Sequence, residues 1–377
     1  MAVAARPLNF ALPLAKPCAL SLSPASVIAR LPRPFAFALL LGLGIIAAWC
    51  MTVRAPAGQA ISQDHYSDLQ LYRDVVSTMQ RGQSYYPAVV PLHRAHNYPL
   101  RPFFTVRLPT LAELAAHLGW RGTHGIALGL LFLTLFVWVI ATEGVLHWTE
   151  RVVLAVVLLA GAMTVIDVKL IGLHEIWAGL FMAIALAGVV GWPRQWWWIV
   201  LPIACALAIR ELVLPFALLA LVFAVYERRW SEVAGWLATL GAFGVFLAVH
   251  AVLVHAQLRP ADLPSPGWHG MLGLMGFLNA LVESSLLQLL GQHFGLLAAA
   301  LGLFGWCALD GRRGLFCLLL WGGYVVMFGL FERPDNFYWG AMLLPGFVVG
   351  LVLLPRACWQ LMGALRGPAG RVVSART

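Results

Sequence analysis

The chain has 377 residues, of which 61% are hydrophobic and only 11% charged, and its formal net charge is +9. Soluble domains carry roughly 25% charged residues, so an ordinary soluble enzyme is excluded. The arginines lie singly between apolar runs, with no basic stripe or interleaved aromatics, so no nucleic-acid partner is expected. Apolar runs of about 17 to 25 residues recur along the sequence, long enough to cross a roughly 30 Å hydrocarbon core. They are apolar on every face rather than alternating, which argues against a membrane β-barrel. The expected fold class is therefore an all-α polytopic membrane protein, a bundle of about ten transmembrane helices with amphipathic surface helices in its first outer loop.

In chain order, residues 1–34 are rich in Pro and Ala, contain no acid, and read as a cytoplasmic, disordered tail. The run 35–53 resembles a signal-peptide core but is longer and lacks a small-residue cleavage site, so it is expected to be a retained first helix. In the loop 54–123, Ser67 and Gln70 form a capping box, and Leu69, Tyr72, Val75, Val76 and Met79 make an apolar stripe. That pattern predicts an amphipathic surface helix ending near Gly82. A second surface helix is expected from Thr110 to His117. Further membrane helices are expected at 124–141, 151–167, 170–190, 196–209, 212–226, 233–255, 294–309, 315–331 and 337–359, followed by a basic cytoplasmic tail, 360–377. The membrane domain would thus cover 35–359, with a second long outer loop at 256–293. Within that loop 271–290 is apolar and reads as an interfacial or re-entrant piece, or as an eleventh span.

Residues 196–226 are 31 mostly apolar residues interrupted by Arg210-Glu211. One continuous helix would measure about 46 Å, too long for a single crossing. Two short helices meeting at the charged pair are expected, because charge at membrane depth sits at a protein-lined or water-lined break. This parity places Arg151, Arg194, Arg228, Arg229, Arg312, Arg313 and Arg356 inside, in keeping with the positive-inside rule, with both termini cytoplasmic and an inner-membrane location. Trp196, Trp197 and Trp198 would anchor the inner interface. Eleven of the sixteen acids then lie at the outer side, so any chemistry is expected to face outward. The six cysteines include no C-x-x-C spacing and suggest neither a disulfide framework nor a zinc site.

The densest polar motif is Gln63-Asp64-His65-Tyr66-Ser67-Asp68-Leu69-Gln70-Leu71-Tyr72-Arg73, followed by Gly82-Gln83-Ser84-Tyr85-Tyr86 and Tyr98-Pro99-Leu100-Arg101-Pro102. A carboxylate at the start of a surface helix sits where a lipid-borne phosphate meets water. It can take a proton from a hydroxyl, hold a divalent cation through oxygen ligands, or simply favour the helix dipole. His65, His93 and His96 match no standard ligand spacing with Asp64, so no metal site is expected. Farther along, Lys169, His174 and Glu175 bracket the start of a helix, where ionisable groups are costly unless paired or functional. Arg210-Glu211 and Arg333 supply cations suited to a phosphate, and Arg210 with Glu211 is equally well read as a structural ion pair.

An Asp after the first helix, the Asp68-Leu69-Gln70-Leu71-Tyr72-Arg73 stretch, the G-x-x-Y-Y and the Y-P-x-x-P segment together resemble the first outer loop of the GT-C superfamily. These are integral-membrane glycosyltransferases that use polyprenyl-phosphate-linked sugars. The pattern is most similar to the polyprenol-phosphate-mannose-dependent mannosyltransferase branch. The resemblance implies a bundle of about nine to fourteen helices, a polyprenyl-phosphate-sugar donor, a lipid, glycan or protein acceptor, and Asp68 as general base with Asp64 as runner-up. Arg210, Glu211, Arg333, Lys169, His174, Glu175, Tyr72 and Tyr98 would line the substrate site. The Asp-Glu pair of the protein O-mannosyltransferase and aminoarabinose-transferase branches is absent, because His65 follows Asp64 and Leu69 follows Asp68. The rival expectation is a lipid or small-molecule transporter without covalent chemistry. Broken helices at mid-membrane and an internal repeat would favour it, and the sequence shows no such repeat. A structural membrane subunit is the third.

Overall fold

The computed structural model describes residues 26–53 and 67–366. Asp64, His65 and most of both expected tails lie outside them. The described residues form fourteen α-helices joined by turns and short 3-10 segments, with no strand among them. In order these are α1 (Arg33–Thr52), α2 (Asp68–Gln80), α3 (Tyr85–Ala95), α4 (Thr110–Ala141), α5 (Trp148–Gly161), α6 (His174–Gly191), α7 (Trp197–Leu207), α8 (Leu214–Tyr226), α9 (Trp230–His255), α10 (Gly273–Glu283), α11 (Gln292–Gly305), α12 (Gly311–Phe331), α13 (Gly340–Phe347) and α14 (Val349–Arg366).

α2 starts as its sequence dictates. The Ser67 side chain accepts from the Gln70 amide at 3.2 Å, Asp68 occupies the first turn, and Leu71, Val75, Val76 and Met79 are buried. α4 holds two of the expected helices in one, bent at Gly119, whose φ of 67° is readily open only to glycine. Its first arm packs under α2, and its apolar second arm runs on to Ala141. α7 ends at Leu207 and a 3-10 turn at Glu211–Val213 leads into α8, so the helix breaks at Arg210-Glu211.

Among the described residues, five helical stretches are long and apolar enough to cross a membrane alone: Arg33–Thr52, Phe103–Ala141, His174–Gly191, Trp230–His255 and Gly311–Phe331. The pair Pro334–Phe347 and Val349–Arg366 makes a sixth if its 60° bend lies within one span. The shorter apolar helices include α7, which at about 1.5 Å per residue reaches roughly 16 Å. Phe132, Phe136, Val156, Val222, Val245, Val252 and Val326 point outward from these helices. A soluble fold would hide such an apolar belt, so this is the exterior of a helical membrane protein.

At the centre stands α6, in which every residue except Phe181 and Gly191 is buried. It packs on α4, α7 and α13. Close approach depends on small residues: a Cβ on Gly179 would collide with the Met342 carbonyl, and one on Gly350 with the Gly302 carbonyl. α10 is not a surface piece. Seven of its residues, Met275 to Val282 apart from Asn279, are buried among α11, α12 and α13.

Charge collects at two opposite ends. At one, Arg312 and Arg229 meet Glu227, Arg313 meets Asp310 and donates to the Val190 carbonyl, and Arg356 meets Glu150. At the other lie the first turns of α2 and α6, the break before α8, and the turn after α12.

Candidate functional site

Glu175 sits in the first turn of α6, where the helix dipole favours a negative charge, yet it is only 1% exposed. Its Oε1 accepts from Arg210 Nε at 2.8 Å and lies 3.7 Å from Arg107 Nη2. Arg210 reaches back from the break between α7 and α8, and its Nη1 also donates to Glu211 Oε1. Both Glu175 and Glu211 therefore engage Arg210, which is itself buried.

Arg107 is the second cation, and it has no such partnership. It follows the 3-10 turn Phe103–Thr105, and its backbone is fixed from two sides. Tyr85 Oη donates to the Arg107 carbonyl at 2.6 Å, and His250 Nε2 lies 3.1 Å from the neighbouring Val106 carbonyl. The Arg107 side chain, 14% exposed, donates through Nε to Tyr72 Oη at 3.1 Å and through Nη2 to Tyr338 Oη at 3.3 Å. Its contact with Glu175 is the longest in the cluster.

Asp68, at the first position of α2, is half-buried. Its charge acts on both Tyr72 and Tyr338, the two tyrosines whose hydroxyls accept from Arg107. Among the described residues no cation pairs with Asp68. Burial of its hydroxyl end pushes the Tyr72 phenol up to about 12, against the opposing pull of Arg107 and with Asp68 and Glu175 adding to it. Tyr72 therefore stays a neutral hydrogen-bond donor. Beside this group lies a narrow cavity of about 20 Å³ between α2, α3 and α4, with Tyr72, Val76, Arg107, Trp120 and His174 among its walls. His174 stacks edge-on to Tyr72 at 5.1 Å, and among the described residues neither of its ring nitrogens reaches a hydrogen-bond partner.

The expected residues thus divide. Tyr72, His174, Glu175, Arg210, Glu211 and Asp68 come together, although they derive from three distant segments. Tyr98 stands one ring away, 5.6 Å from His93, which lines the same cavity and is pushed down to about 4 by burial. Lys169 is exposed and enters only through its carbonyl, which accepts from Arg73 at 3.3 Å. Arg333 holds Asp335 at 2.7 Å and donates to the Gly267 carbonyl at 3.2 Å. Asp64 lies outside the described residues. Among the described residues, no group of three His, Cys, Asp or Glu could hold a metal.

No protein-family model, curated protein or solved structure matches the chain. The chemistry rests on geometry alone. Sequence reasoning missed Arg107 and Tyr338. The signal for Arg107 was present: one arginine inside the otherwise apolar Phe103-Phe104-Thr105-Val106 and Leu108 stretch, just ahead of a helix-starting Pro109. Tyr338 carried none, since nothing local links it to a loop 231 residues earlier.

Proposed function

We propose that the chain is an inverting membrane glycosyltransferase. It would move a sugar, with mannose the first candidate, from a polyprenyl-phosphate donor to a hydroxyl of a lipid, glycan or protein at the outer face of an inner membrane, with both termini cytoplasmic. The observation that carries this reading is a carboxylate, Asp68, that pairs with no cation among the described residues and acts on the same two tyrosines whose hydroxyls accept from a lightly paired guanidinium, Arg107, in the wall of an apolar cavity.

The step needs a base and an anion holder on either side of one carbon. Asp68 takes the proton of the acceptor hydroxyl as its oxygen attacks the anomeric carbon. The bond from that carbon to the phosphate oxygen breaks, and polyprenyl phosphate leaves with the electron pair. Arg107 receives the phosphate charge through its planar fork, with Tyr72 and Tyr338 holding the fork in place. Arg107 suits this better than Arg210, whose two carboxylates already compensate it. Arg210 instead fixes Glu175, and so the mouth of the site.

Binding of polyprenyl phosphate to the purified protein in nanodiscs tests the reading. Losing a charged hydrogen bond costs about 1.5–3 kcal/mol, so Arg107→Gln should weaken binding roughly 10-fold to 100-fold. Unchanged affinity in a folded Arg107→Gln protein would refute the role given to Arg107.

A further inference from the structure

α9 is long and apolar enough to cross a membrane, and it turns residues such as Val245, Val249 and Val252 outward. Near its C-terminal end it nevertheless carries His250, only 1% exposed. An ionisable side chain in such a helix is costly unless it is paired or has a task. His250 faces the 3-10 turn Phe103–Thr105, against which α9 packs, and that turn leads directly into Arg107.

The two ring nitrogens of His250 have different partners. Nε2 lies 3.1 Å from the Val106 carbonyl, and Nδ1 lies 3.1 Å from Tyr86 Oη. A carbonyl can only accept, so Nε2 carries the hydrogen and donates. The neutral ring then keeps its lone pair on Nδ1, and the Tyr86 hydroxyl donates to it. Tyr86 thereby fixes the tautomer that lets His250 hold Val106. Phe103 adds a ring contact, its centroid 6.0 Å from that of His250, and its carbonyl is a further polar neighbour of the imidazole.

The next carbonyl along the chain is held as well, since Tyr85 Oη donates to that of Arg107 at 2.6 Å. Two successive carbonyls are thus gripped, one from α9 and one from α3. The Arg107 side chain itself is held less closely, by hydroxyls at 3.1 and 3.3 Å and a carboxylate at 3.7 Å. Where its guanidinium stands is therefore set largely by the backbone. Arg107 is in the wall of the cavity, whereas Tyr86 and His250 are not among its lining residues. Whatever they do for a ligand there, they do through Arg107.

We propose that His250 and Tyr86 are positioning residues for Arg107, holding the backbone from which its guanidinium meets the phosphate of the ligand. The inference deepens the transferase reading and rests on it. Its physical basis is geometric: a displacement of about 1 Å at a site of this kind can cost about 10²-fold. It also gives α9 a part in anion binding, although no α9 side chain lines the cavity.

The test is equilibrium binding of polyprenyl phosphate to the full-length protein in nanodiscs, with an unfolding midpoint for each variant. Tyr86→Phe loses one neutral hydrogen bond and should weaken binding about 2-fold to 10-fold. His250→Leu frees the Val106 carbonyl and should weaken it about 10-fold to 100-fold. His250→Gln, whose amide nitrogen can still donate to Val106, should recover most of the affinity. In an Arg107→Gln background, neither His250→Leu nor Tyr86→Phe should weaken binding further, because both act through Arg107. A merely structural role would lower the unfolding midpoint in both backgrounds and leave the affinity of the folded protein alone. Native affinity in folded His250→Leu, or the same loss repeated in the Arg107→Gln background, would overturn the proposal. Should His250→Leu fail to fold, Tyr86→Phe, which removes a single hydroxyl, decides by the same two criteria. If Arg107→Gln weakens binding and the His250 and Tyr86 variants do not, this proposal alone falls. If the native protein binds no polyprenyl phosphate, or Arg107→Gln binds it as the native protein does, the role given to Arg107 falls and takes the proposal with it.

Discussion

Glu175 and Glu332 are buried almost equally, 1% and 2% exposed, and each stands at the end of an apolar helix. Arg210 and Arg107 flank the first, and among the described residues no cation pairs with the second. Desolvation is equally adverse for both carboxylates, but it is offset in different ways. A permanent guanidinium fixes Glu175 and makes it scaffold. Glu332 is neutralised by a proton, which comes and goes with pH. The difference teaches how to separate a structural charge from a titrating one: ask what compensates it, rather than how deep it lies.

The largest effect should come from breaking the compensated centre. Glu175→Gln leaves Arg210 short of a carboxylate in a buried setting, and removing one partner of such a pair costs about 3–5 kcal/mol. Thermal or denaturant unfolding in detergent would show it, and a loss below about 1 kcal/mol would erase the contrast between the two glutamates. Next in size is the 10-fold to 100-fold loss of polyprenyl-phosphate affinity in Arg107→Gln.

The third prediction reads the uncompensated centre. Because Glu332 is raised to about 9 in the folded protein and titrates near 4.3 when unfolded, the folded state binds the extra proton between those values. Stability should then fall as pH rises through that window, at up to about 1.4 kcal/mol per pH unit. Glu332→Gln should flatten this slope and leave the protein more stable than the native chain at pH 8. Unfolding measured from pH 5 to 9 without divalent ions checks the sign. The smallest effect belongs to Arg333→Ala, whose pair with Asp335 is partly exposed at 25% and 57%. About 1 kcal/mol or less is expected from unfolding midpoints.

Much of the architecture was legible because it depends on local rules. Ser67 with Gln70 announced the start of α2, and the cost of charge at membrane depth announced the break at Arg210-Glu211. Other features were not local. The run 337–359 reads as one helix, but it is bent by 60° between α13 and α14, and α14 continues to Arg366. From composition the segment 271–290 reads as an interfacial or re-entrant piece or as an eleventh span, and α10 is packed in the interior rather than laid on the surface. In an apolar chain the same leucines and alanines serve lipid and interior alike, so the central place of α6 has no compositional mark. The site was half legible. His174, Glu175, Arg210 and Glu211 stood out as expensive charges, but Arg107 becomes meaningful only once the fold brings Tyr72, Tyr338 and Glu175 to it.

The most direct test of the proposed chemistry is a transfer assay with radiolabelled polyprenyl-phosphate mannose and membrane lipid extract, comparing the native protein with Asp68→Asn in nanodiscs. The account predicts label moving to a new product, with a rate lowered about 10²-fold to 10⁴-fold in Asp68→Asn, as expected for loss of a general base, and an unfolding midpoint nearly unchanged. A folded Asp68→Asn protein that transfers at the native rate, or a native protein that carries the lipid across the membrane unaltered, would contradict it.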